Sequence, residues 1–261
     1  MDVIIVSDYE EMSDRAAEIV ASAMQENPNL TLGLATGSTP EGLYSRMIEM
    51  NQQGKIDFSG VRSFNLDEYV GLDPTHEQSY RYFMNEKLFD HVNIDKANTH
   101  VPNGQAESLT EECRRYESAI KDAGGIDLQV LGIGRDGHVG FNEPGTSLGS
   151  KTHIAALTEE TVEDNSRFFK KAEDVPRFSV TMGIQSILDA HRCLLLASGA
   201  NKAEAVRRTV EGPITSSVTA SALQMHEDTI AIVDQAAASQ LERKDYYLWV
   251  QENMKSIQDR M

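Results

Sequence analysis

The stretch Leu131–Gly145, LGIGRDGHVGFNEPG, overlaps the end of an apolar run, DLQVLGIG, that starts at Asp127. A short, β-rich run ending in glycine predicts a buried parallel strand. Gly132, Gly134 and Gly137 allow a sharp turn at its carboxyl end. In open α/β sheets, ligands bind at that end. Asp136, His138 and Glu143 are therefore placed where chemistry is usually done. A carboxylate beside a histidine fixes its tautomer and raises its basicity, as a proton relay needs. A turn capped by Asp136 and a structural His138 are the plainer alternatives. Metal binding is a third, but no second His or Cys cluster lies near the trio, so no metal is expected.

The runs on either side have the same character. VIIV at Val3–Val6 reads as a first strand. Met12, Ala16, Ile19, Val20 and Met24 follow at helical spacing, ended by Asn27 and Pro28. LTLGLAT is a second strand, leading into Thr36, Gly37, Ser38, Thr39 and Pro40 and then a helix carrying Leu43, Met47 and Met50. Hydroxyls and glycine at a strand-to-helix turn make an anion cradle. Helix capping by Ser38 or Thr39 is the alternative. The Gly-Lys-Ser/Thr ending of a Walker loop is absent.

VRSFNLDEYVGL, Val61–Leu72, is the next strand and its exit, with Asp67 and Glu68 just past the apolar run. Neighbours in an extended segment point opposite ways, so only one of the two can face a cleft. Helices are predicted from about Gln78 to Phe89, with Tyr80, Phe83, Met84 and Phe89 inward, and from about Ser108 to Ala123. Beyond the central stretch come strand-like HIAAL, FSVTMGI, CLLLASG and TIAIVD. Arg167 sits among acids in TEETVEDNSRFF, where a surface ion pair is the plain reading. Lys202, in GANK, lies between a strand end and a helix start, where it could meet an anion. The tail from Ala236 to Met261 reads as one long polar helix with Trp249. This alternation predicts a single catalytic α/β domain over 1–261, with one doubly wound, mainly parallel sheet and helices on both faces.

Composition limits the function. The 261 residues carry 41 acidic and 24 basic side chains, a net charge of −17, with 40% hydrophobic content. So acidic a chain disfavours nucleic acid and anionic membrane surfaces, and can hold an anionic substrate only through locally placed cations. Cys113 and Cys193 show neither metal spacing nor a disulfide framework, which points to a reducing cytoplasm. No signal peptide or membrane-length apolar run is read.

Five segments together resemble the glucosamine-6-phosphate deaminases: LATGSTPEGLY, SFNLDEYVGL, GIGRDGHVGFNEPGTSL, NSRFF and GANKAEAV, in that order between Leu34 and Val206. The resemblance implies a modified Rossmann-like fold, no cofactor, a small-molecule sugar phosphate as partner and a cytoplasmic role in amino-sugar catabolism. The implied reaction converts glucosamine 6-phosphate and water to fructose 6-phosphate and ammonia. By motif, Asp67 corresponds to the proton-transfer base, and Asp136, His138 and Glu143 to the ring-opening group. Thr36, Gly37, Ser38, Thr39, Arg167 and Lys202 correspond to the phosphate-binding residues. Allosteric members carry basic residues after NEP. Here Lys151 remains, but His153 and Ala155 occupy such positions, so activation by N-acetylglucosamine 6-phosphate is not expected. A homo-oligomer is compatible with the sequence. The alternatives are a 6-phosphogluconolactonase-like hydrolase, opposed by LDEY followed by FNEP, and a non-catalytic sugar-phosphate sensor. A chain opening directly in a strand leaves no helix-turn-helix to expect for the sensor.

Overall fold

Seven short strands at the centre of the computed structural model all run parallel. The structure describes residues 1–167, 169, 171 and 174–258, the last four as backbone only. In chain order the first half contains β1 (Asp2–Val6), α1 (Tyr9–Glu26), β2 (Thr31–Leu34), α2 (Glu41–Gln52), β3 (Arg62–Asn65), β4 (Asp67–Tyr69), α3 (Tyr80–Lys87), β5 (Thr99–His100), α4 (Leu109–Asp122) and β6 (Leu128–Leu131). The second half contains β7 (His153–Ala156), α5 (Glu159–Ser166), β8 (Phe178–Thr181), α6 (Ile184–Leu188), β9 (Arg192–Ala197), α7 (Ala203–Val210), β10 (Thr229–Asp234) and α8 (Lys244–Gln258).

The main sheet has the order β1-β10-β9-β6-β2-β3-β5. Strand alternation splits the apolar side chains between its faces. Cys193, Leu195 and Ala197 of β9 join the core under α4, α6 and α7, with Tyr116, Ile187 and Val206. Leu194 and Leu196 join the opposite core, with Met12, Ala16 and Val20 of α1 and Leu43 and Met47 of α2. Helices therefore cover both faces, as the apolar pattern predicts. Ile19 and Met50, also read as inward, are only partly buried. From β2 the chain winds outward through β3 to β5, and from β6 it winds the other way through β9 to β10. The switch point lies between β2 and β6, and the loops leaving these two strands open a crevice there.

Not every strand belongs to that one sheet. β4, β8 and β7 form a second, antiparallel sheet. LDEY is thus not the frayed exit of β3. The chain breaks pairing after Asn65, and Asp67–Tyr69 pairs afresh with Ser179–Thr181. The three strands lean on a third apolar cluster that includes Tyr69, Phe141, Ala155 and Leu157. Short apolar runs carry no mark of the partner they will pair with, so sequence alone assigned all of them to one sheet. The tail also differs: Ala237–Gln240 is a 3-10 turn and the helix starts at Lys244. Residues 259–261 of the expected helix, and Phe168 of NSRFF, lie outside the described residues. Among the described residues, no helix is long and apolar enough to cross a membrane.

Candidate active site

A cavity of about 460 Å³ opens at the switch point. The loop after β2 contributes Thr36, Gly37, Ser38 and Thr39, and β4 contributes Asp67. The turn after β6 contributes Gly134, Arg135 and His138. Arg167 comes from the end of α5, and Lys202 from the turn after β9. The fold thus gathers the base, the histidine and the three anion-binding segments read from sequence. Asp136 and Glu143 stand just behind the histidine.

His138 Nδ1 lies 2.7 Å from Asp136 Oδ1 and 3.6 Å from Glu143 Oε2. The shorter contact is close but off-axis rather than an aligned hydrogen bond. Asp136 Oδ1 also accepts the backbone N–H of His138 at 3.0 Å. So Asp136 does shape the turn, and the same oxygen faces the ring. Glu143 accepts the N–H of Thr158 at 3.2 Å and its hydroxyl at 3.3 Å, which fixes the carboxylate behind the ring. Burial opposes charge on the imidazole, but Asp136 and Glu143 outweigh it and raise its pKa. Asp136 is held below its usual range: burial works against this, but the close contact and charge of the His138 ring, with the His138 backbone N–H, prevail. Gly134 has a steric role, since a Cβ there would sit 2.4 Å from the His138 ring.

Asp67 is 5% exposed. Strand alternation turns it into the cavity and turns Glu68 away. Burial, and then the charge of Glu68, push the Asp67 carboxyl up to about 8, against the opposing pull of His138. Tyr69, Tyr80 and Phe141 form an aromatic wall beside it, with ring centroids 4.9–6.0 Å apart. Helical spacing made Tyr80 read as core, and Tyr69 and Phe141 were given no role from sequence. Nothing in the sequence separated an aromatic that seals a core from one that lines a cavity.

At the Thr36–Thr39 end of the cavity the backbone of Gly37 has φ +94°, a left-handed turn suited to glycine. Pro40 is the N-cap of α2 and no side chain caps that helix, so Ser38 and Thr39 are not spent as caps. Lys202 donates from Nζ to the Ile133 carbonyl at 2.6 Å, which aims it across the mouth of the β6 turn. Burial lowers its pKa. Exposed Arg167 lines the mouth. Arg135, which sequence left without a role, also lines the cavity and is gripped by Asp164 at 2.5 and 2.8 Å. Asp136, His138 and Glu143 hold their ligand atoms within 4.8 Å of one another, close enough to share a metal ion.

The doubly wound sheet with its switch-point crevice places the chain among the α/β enzymes. More narrowly, the chain belongs to the family of glucosamine-6-phosphate isomerases/6-phosphogluconolactonase, whose model matches residues 8–232. A glucosamine-6-phosphate deaminase of Thermoanaerobacter sp. (strain X514) is 57% identical over 245 residues, covering 94% of this chain and 97% of that one. The deaminase of Clostridioides difficile (strain 630) is 55% identical over 248 residues, covering 95% and 100%. A solved structure of a monomeric glucosamine-6-phosphate deaminase superposes with a TM-score of 0.90 at 46% identity, covering 92% of this chain and all of that one, 100%. A 6-phosphogluconolactonase from Thermotoga maritima reaches a TM-score of 0.71 at 20% identity over 90% of this chain and 99% of its own, a likeness of fold alone.

Proposed function

We propose that the chain isomerises and hydrolytically deaminates glucosamine 6-phosphate, giving fructose 6-phosphate and ammonia. One observation carries the reading. A buried carboxylate, Asp67, and a carboxylate-backed histidine, His138, line the same cavity, whose other end gathers the TGST turn, Arg167 and Lys202. The high identity to deaminases supports it. The phosphate dianion binds the cationic end and anchors the sugar away from the reacting carbons. His138 relays a proton between the ring and anomeric oxygens to open the ring. Asp67 takes the C2 proton and returns it to C1 through an enolamine. Water then attacks the C2 imine and ammonia leaves. The aromatic wall keeps Asp67 dry. The reading carries a cytoplasmic location, supported by two free, buried cysteines. The test is ammonia release from glucosamine 6-phosphate beside a lactonase assay, each with and without a chelator. Lactone hydrolysis without ammonia would replace this reading, and loss of activity on chelation would move the trio to a metal role.

Charge-assisted hydrogen bonds contribute about 1.5–3 kcal/mol each. Arg167→Ala or Lys202→Ala should therefore raise KM by ~10-fold or more while leaving the fold intact. Inorganic phosphate should protect the wild type, and not these variants, against thermal unfolding. Wild-type KM in both variants would place the phosphate elsewhere.

The expected lack of allosteric control gains a structural argument. Lys151 is paired with Asp189 and lies 3.8 Å from Glu117. Glu117 itself accepts the N–H of Thr152 at 2.9 Å and its hydroxyl at 2.5 Å. Lys151 is thus engaged by this chain's own carboxylates, and Ala155 is buried and uncharged. Saturation curves should be hyperbolic, with a Hill coefficient close to one, and unchanged by N-acetylglucosamine 6-phosphate at fixed ionic strength. A sigmoid that the effector straightens would show a working second pocket.

A further inference from the structure

Glu68 is 3% exposed and points away from the cavity, yet it is among the most heavily bonded carboxylates of the site. One oxygen accepts the N–H of Tyr69 at 2.9 Å and of Tyr80 at 3.0 Å, and the other accepts the N–H of Arg81 at 3.0 Å. Tyr80 and Arg81 are the first two residues of α3, whose N-cap Ser79 already accepts from Tyr82. The backbone of Glu68 is tied in as well, its carbonyl accepting the Ser179 hydroxyl at 2.8 Å. An orphan N–H at a helix start can be satisfied by a neutral oxygen or by water, and burying an anion for that purpose alone is costly. The anion stands one residue from Asp67, and the helix it grips supplies Tyr80 and Phe83 to the cavity lining.

We propose that Glu68 is a positioning residue for Asp67, locking β4 to the start of α3 so that the base and the aromatic wall are held as one rigid unit. This rests on the reading of Asp67 as the proton-transfer base. Burial pushes the Glu68 carboxyl up, while the three N–H donors on its oxygens and the charge of Arg81 pull the other way, toward the ionised form. The titratable groups coupled by charge to Asp67 are Glu68 and Tyr69 on its own strand, His138 from the β6 turn, Tyr80 from α3 and Tyr116 from α4, while Arg81 acts on Glu68. After burial itself, the negative charge of Glu68 is the group that most favours a protonated Asp67 in the resting cavity. The ammonium of an arriving amino sugar offsets that charge, so the base ionises when it is needed.

The experiment compares pH profiles of ammonia release for the full-length wild type, Glu68→Gln and Glu68→Asp, with Asp67→Asn as reference. Glu68→Gln removes the charge and turns one acceptor into a donor facing an N–H. Its rising limb in kcat/KM should move to lower pH by about half a unit or more, its kcat should fall about tenfold, and its KM should change less than about threefold. Glu68→Asp keeps the charge but falls one methylene short. Its limb should stay at the wild-type pH while kcat falls. A limb unmoved in Glu68→Gln, or wild-type kcat in Glu68→Asp, overturns the inference. If Glu68→Gln does not fold, the kcat of Glu68→Asp decides alone. Normal turnover by Asp67→Asn would instead remove the base reading on which this stands.

Discussion

Asp67→Asn is expected to lose at least ~10²-fold in kcat with KM nearly unchanged, and to become more stable than the wild type at alkaline pH. The first effect follows from losing the proton acceptor while keeping shape, since general-base catalysis contributes about 10²–10⁴-fold. The second follows from linkage. The folded carboxyl titrates near 8, whereas its ordinary value is 3.8. Between those values the folded state holds a proton that the unfolded state has released, so wild-type stability falls as pH rises and levels off above about 8. The slope from this group is at most about 1.4 kcal/mol per pH unit. An asparagine does not titrate, so the variant's advantage should be absent near pH 4, grow toward pH 8 and then stay flat. The same shift predicts that wild-type kcat/KM rises with pH to a plateau above about 8, because the free enzyme must ionise Asp67 to act. In kcat the limb should lie lower, since the bound ammonium favours the carboxylate. Paired denaturant melts and rate profiles check both effects. Normal turnover by Asp67→Asn, or a stability difference that ignores pH, would remove Asp67 from its role.

The site was legible in sequence where a residue's chemistry and its place at a strand end coincide. Asp67, His138 and Lys202 each follow an apolar run, and the carboxyl ends of parallel strands converge whatever the loop details. Strand alternation left room for only one of Asp67 and Glu68 at the cleft, and the motif resemblance named Asp67. Long-range pairing was not legible. The antiparallel partnership of Asp67–Tyr69 with Ser179–Thr181 spans more than a hundred residues, and three-residue strands carry no register signal. That pairing also hides Asp67 in the second sheet, which is why its burial could not be foreseen. Arg135 was visible in the motif but silent, because its role depends on Asp164 of α5 coming across the cavity mouth. Thr158, which holds Glu143, was equally silent, since a threonine before a helix reads as a cap, and it is that as well.

His138→Gln should fall by at least ~10²-fold in kcat, with a signature distinct from that of Asp67→Asn. Glutamine keeps a polar group near Asp136 but cannot exchange a proton near neutral pH. The imidazole can, because its two carboxylate neighbours hold its pKa above the ordinary value despite burial. Ring opening must precede enolamine chemistry, so the two steps can be separated by watching anomers rather than ammonia. Wild type and Asp67→Asn should both speed exchange between the α and β anomers of glucosamine 6-phosphate, as followed by NMR, since each retains the relay at the ring oxygen. His138→Gln should speed neither exchange nor ammonia release. Glu143→Gln should lie between them: one of the two carboxylates facing Nδ1 is neutralised, while the nearer Asp136 remains at 2.7 Å. Its anomer exchange should slow by less than that of His138→Gln, and its acid limb should move to lower pH as the imidazole loses part of its support. Anomer exchange by His138→Gln at the wild-type rate would transfer ring opening to another group and leave the histidine a structural role in the turn.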